Sequence, residues 1–199
     1  MSAAGGAIAG ILIANNIMRA TKGIETAKTA WKGLESLGLT LSFEQVSALG
    51  WASGRERPQL QGTVDGQRVE VRIITDIVHC AHTEVVVVPD AGVDVDVGVY
   101  PSPGGVLSRV RDWLRQDIQI DDAAFDAAFL ITAKPASAAP QLLANEQLRV
   151  GLAELTGGKL VGFHYSKARV VVTLNGVETD PVALQMALQV GAAAARFSL

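Results

Sequence analysis

The chain has 199 residues, 49% of them apolar and 19% charged, with three Trp, two Tyr, five Phe and a formal net charge of −3. Its seventeen basic residues are spread thinly among twenty acidic ones, so no basic patch suggests nucleic acid and none is expected as a partner. The single cysteine, Cys80, excludes an internal disulfide.

The first element carries the strongest pattern. No charge occurs from Ala3 to Met18, where Ile8, Ile11, Leu12, Ile13 and Ile17 are strongly apolar and only Asn15 and Asn16 interrupt. The first ten residues lack the basic start of a cleavable export signal. A bilayer-spanning helix needs roughly 20 apolar residues, so this run reaches only the lower end. Arg19, Lys22, Lys28 and Lys32 follow, against Glu25 and Glu35. They would hold the body in the cytoplasm, at the inner face of a membrane. Counting alternately by three and four from Ala3 gives Gly6, Gly10, Ile13, Ile17, Ala20, Ile24, Ala27, Trp31 and Leu34. This uncharged stripe has the mean spacing of a coiled-coil seam, and Gly6 and Gly10 supply the small-residue spacing that lets backbones approach closely. Three partners fit it: lipid through residues 3–18, further copies of the chain in a homo-oligomer, or the chain's own body. The expected organisation is an N-terminal association helix over 1–36 and a body over 42–199.

In the body, Gly38 is expected to cap the long helix, and Ser42 to Gly54 to form a short one led by Ser42. Gly54 to Pro58 reads as a loop. Asp65-Gly66 lies between two strand-like runs and predicts a tight hairpin, with Val69, Val71 and Ile73 alternating against Arg68, Glu70 and Arg72. Thr83 to Asp90 and Val93 to Tyr100 read as the next strands of a meander. Val106, Leu107, Val110, Trp113 and Leu114 lie on one face of an expected helix. A strand over 127–133, a helix over 140–155, and strands on either side of an expected Asn175-Gly176 hairpin follow. Asp180-Pro181 opens a last, mostly apolar helix. The expected fold is α+β: a long N-terminal helix, then a mostly antiparallel sheet with hairpins and three packed helices.

Reactive chemistry is sparse. His79, Cys80 and His82 are of metal-ligating type, but on a strand only Cys80 and His82 share a face, and His164 is remote in sequence. The expectation is no metal and no cofactor. Asp117, Asp121, Asp122 and Asp126 form an acidic run whose structural reading is a helix cap at Asp121 or Asp122, with Phe125 and Phe129 going to the core. Gly50 to Gly54 places its serine one position too late for a nucleophile elbow.

Gly62 to Val71, Asp122 to Phe129 and Leu142-Leu143 together resemble a class of uncharacterised bacterial proteins. The resemblance covers about Leu60 to Leu174. It implies an apolar N-terminal segment before a body of unknown activity, and no catalytic residue. The resulting expectation is a non-enzymatic structural or interaction protein, membrane-associated or self-assembling through its N-terminal helix. The alternative is a domain that binds a small ligand or metal, or an enzyme, centred on His79, His82 and His164.

Overall fold

Asp65 and Gly66 form the expected hairpin turn in the computed structural model, with φ of 50° and 81° joining strands β2 (Glu56–Val64) and β3 (Gln67–Asp76). Glycine reaches that second angle without steric cost. The structure describes residues 18–45, 56–76, 80–102 and 118–198. Helix α1 is described over residues 18–30 and tightens into a 3₁₀ turn, Trp31–Leu37, which ends at Gly38 with φ 80°.

Eight strands form one antiparallel sheet. Besides β2 and β3 they are β1 (Leu39–Gln45), β4 (Cys80–Val88), β5 (Asp96–Pro101), β6 (Phe129–Lys134), β7 (Leu160–Ser166) and β8 (Arg169–Asn175). Their order is β1-β2-β3-β4-β8-β7-β5-β6. The helices are α2 (Ala123–Ala128), α3 (Ala138–Leu142), α4 (Glu146–Leu155) and α5 (Pro181–Ala195). Val69, Val85, Val87, Val97, Val99, Phe163, Tyr165, Val170 and Val172 are all buried along the sheet. Helix α5 packs on β4, β8 and α4, and the 3₁₀ turn packs on β1. The expected α+β fold, an N-terminal helix with an antiparallel sheet and several helices, is observed.

Several expectations are corrected. The start of the expected helix from Ser42 is strand β1, because Leu39 and Leu41 alternate with Thr40 and Ser42 and find partners in β2, Leu41 opposite Leu60. Residues 46–55 of that expectation lie outside the described residues. Glu56, Arg57 and Pro58 belong to β2 rather than to a loop. Cys80 and His82 lie in β4, the strand geometry in which they share a face. Strand β5 does not follow β4 in a meander, since β8 and β7 come between them. The helix expected over 140–155 is two helices, because Asn145 stops the first and caps the second by accepting a hydrogen bond from the Leu148 amide at 3.3 Å. Asn175-Gly176 leads to α5 rather than to another strand, and Lys167-Ala168 turns β7 into β8. The expected helix around Val106 to Leu114 lies outside the described residues. Asp180 caps α5 as expected, its carboxylate accepting from the Val182 amide at 3.0 Å.

Candidate binding surface

From Ala20 onward, the uncharged stripe of the N-terminal helix meets the chain's own body. Ala20, Ile24, Ala27, Trp31 and Leu34 are all buried, Trp31 completely. The Trp31 indole Nε1 donates to the Glu178 carbonyl at 2.9 Å. Gly23 lies so close to Val177 that an added Cβ would sit 2.8 Å from the valine Cβ. These five positions therefore do not present a seam to a second molecule, because the β8–α5 connection and the sheet edge already cover them. Gly6, Gly10, Ile13 and Ile17 lie outside the described residues.

The connection that receives Trp31 is held on every side. The Glu178 amide donates to Thr83 Oγ1 at 2.9 Å, and that hydroxyl donates to the Gly176 carbonyl at 3.1 Å. The buried Glu178 carboxylate accepts from the amides of Thr179 and Asp180 at 3.0 and 2.8 Å. Lys159 Nζ lies 3.6 Å from Glu178 and 2.5 Å from Asp180. Its hydrogen bond to Asp180 raises the Lys159 pKa above that of a free lysine, and the same bond holds the Asp180 carboxyl below the usual carboxylate range. The raised lysine stabilises the fold below its ordinary pKa of 10.5, a contribution lost as pH rises through the folded value. The lowered aspartate stabilises above 3.8 and loses that contribution as pH falls through its folded value. Thermal melts of Asp180→Asn should therefore lie below wild type across the neutral plateau and converge with it toward strong acid. A constant gap down to pH 2 would contradict this.

The expected histidine centre does not assemble. His82 lies 3.4 Å from Glu84, which also pairs with Arg72 at 2.8 Å. His164 lies 3.1 Å from Asp96. In the sheet register His82 is level with Asn175, whereas His164 is level with Val171, one strand further on. His79 and the Cys80 side chain lie outside the described residues. Among the described residues, no three or more His, Cys, Asp or Glu side chains converge as a metal site would require. The acidic run is structural where it is described: Asp122 Oδ1 accepts from the Phe125 amide and Asp126 Oδ1 from the Ile120 amide, both at 3.1 Å. Asp117 lies outside the described residues.

Among the described residues, two further surfaces have a geometry that sequence patterns did not reveal. On the sheet face opposite the core valines, the Tyr100 ring lies across Gly98 and Gly162, 40% exposed. A Cβ at either glycine would come within 2.8–2.9 Å of that ring, so the ring can lie there only while both positions lack a side chain. Between α4 and α5 lies an open cleft of about 630 Å³, lined by Glu146, Val150, Glu154, Met186 and Gln189, with the Asp65–Arg196 pair (3.0 Å) beside it.

No family model matches the chain, and no curated protein matches its sequence. Among solved structures, the mycobacterial trehalose monomycolate transport factor A, TtfA, resembles it with a TM-score of 0.53 at 11% identity. The match covers 85% of this chain and 92% of that one. At that identity the likeness is one of fold, and a shared fold does not carry a function with it.

Proposed function

We propose that this protein is a non-enzymatic accessory factor that attaches to the cytoplasmic face of a membrane through residues 3–17, with its α+β body held at the surface by α1. The observation that supports this reading is the docking of Ala20, Ile24, Ala27, Trp31 and Leu34 onto the body. That docking takes the second half of the stripe away from any coiled coil, while a stable coiled coil needs about three to four heptads. What remains is a charge-free stretch joined to a fixed stem. Arg19 and Lys22 are exposed at the start of the stem and Lys32 near its end, and cations beside an apolar segment favour anionic lipid by about 1 kcal/mol each. No helix among the described residues is long and apolar enough to cross a membrane, and the proposal requires interfacial attachment only. The structural neighbour is named for a part in transport, a role that suits a protein that binds and positions rather than catalyses.

Vesicles of phosphatidylcholine and phosphatidylglycerol provide the test. The Ile13→Asp/Ile17→Asp chain should lose at least about tenfold in vesicle partition, since a carboxylate costs about 2.5–3.5 kcal/mol at the centre of a bilayer and proportionately less near its surface. Its melting temperature should match wild type. Equal partition of the two chains would end the lipid reading.

The cleft between α4 and α5 favours a second reading, a small-ligand site. Its acidic side chains Glu146 and Glu154 suit a cationic group.

A further inference from the structure

The two ends of the sheet are finished differently. At the β6 end, the Ile118 amide donates to the Ile131 carbonyl at 2.9 Å, so returning chain covers part of that edge. The other end strand, β1, pairs with β2 over seven consecutive positions, Leu39 opposite Gly62 to Gln45 opposite Glu56. An end strand directs alternate amides and carbonyls away from its neighbour, and folded proteins usually blunt such edges with lysine, proline or a bulge. LTLSFEQ has no lysine, no proline and one charge, Glu44. That charge is already paired with Arg57 at 3.2 Å. Two large apolar side chains at this edge stay exposed, Leu37 at 38% and Phe43 at 45%.

We infer that β1 pairs antiparallel with β1 of a second copy of this chain, about a two-fold axis at Ser42. An isologous contact needs a self-complementary strip, and this one is self-complementary. With Ser42 opposite itself, all seven residues find partners, and the parity of the two faces is kept. Leu41 then stands opposite the partner's Phe43, twice, on the face where the 3₁₀ turn packs. On the other face Thr40 stands opposite the partner's Glu44, so the two glutamates never meet. A shift by one residue would set apolar side chains against the polar face. The pairing covers Phe43 and extends one antiparallel ladder through both molecules. It involves no part of residues 3–17 and stands whether or not they bind lipid.

Cross-linking of the full-length chain in a Cys80→Ser background tests the axis directly. Ser42→Cys should give a disulfide-linked dimer under mild oxidation, because residues opposite each other across an antiparallel pair have Cα atoms about 4.5–5.5 Å apart, within disulfide reach. Thr40→Cys should not, because its counterpart is displaced along the strand. Light scattering supplies the second readout. Ser42→Lys places two lysines face to face and should raise the dimer dissociation constant at least about tenfold, since juxtaposed like charges are costly at an interface. Thr40→Lys faces Glu44 of the other copy and should leave it within a few-fold. Both positions are exposed, so melting temperature should report unchanged folding. Equal cross-linking at positions 40 and 42, a monomeric wild type, or a dimer indifferent to Ser42→Lys would each overturn the inference. The last of these outcomes would point to assembly through another surface, residues 3–17 included.

Discussion

Replacing Trp31 with alanine is expected to remove about 3–5 kcal/mol of stability, the range for truncating a fully buried aromatic. The indole is 0% exposed and fills the space between the 3₁₀ turn and the β8–α5 connection. Its loss leaves both a cavity and a buried Glu178 carbonyl without its donor. Trp31→Phe separates the two effects: most of the apolar contact stays, and the missing N–H costs about 1–3 kcal/mol. Urea denaturation measures both, as a fall in the midpoint with unchanged slope. If Trp31→Ala were within 1 kcal/mol of wild type, α1 would not be an integral part of the body. The same contact sets where the chain can be cut. A truncation at Ser36 removes Trp31 and Leu34 from the core, whereas one at Met18 leaves the docked stem whole.

Phe129→Ala is expected to cost a similar amount, about 3–5 kcal/mol. Phe129 opens β6, is fully buried, and its ring centroid lies 4.3 Å from that of Phe125 at an interplanar angle of 30°. Such aromatic pairs contribute about 0.5–1.5 kcal/mol beyond their burial. Val150→Ala, at an exposed site on α4, serves as the control and should stay within about 0.5 kcal/mol of wild type. Calorimetry or chemical denaturation checks both. The comparison also bears on the acidic run beside Phe125. Asp122 caps the start of a six-residue helix and Asp126 ties it to the Ile120 amide, so the energetic centre of the region is its aromatic pair.

What the sequence made legible was local. Asp65-Gly66, Asp180-Pro181 and the Asp122 cap each act over three or four residues, and each is found where its chemistry demands. The apolar stripe was legible too, but its partner was not. A three-and-four spacing buries a helix equally well against lipid, a twin helix or a sheet, and only the position of Val177 and Glu178 in space settles it for Ala20 to Leu34. Strand order was hidden for a related reason. Val85 pairs with Val172, and nothing in either run specifies the other over alternative valine-rich strands. Strand β1 is not legible locally, because Ser42 is as good a helix cap as it is an edge-strand residue and its partner Gln59 lies 17 positions further along the chain. The glycine floor under Tyr100 was almost wholly hidden, since Gly98 and Gly162 come together only when β5 lies beside β7. The one faint signal for it was an isolated glycine within each strand pattern.

Attachment through residues 3–17 has a direct measurement: flotation of the full chain and of a chain beginning at Met18 with anionic vesicles, at matched concentration. The full chain should rise with the vesicles while the shortened one stays at the bottom, still folded and melting at the same temperature. Equal behaviour of the two chains, floating or not, would contradict it.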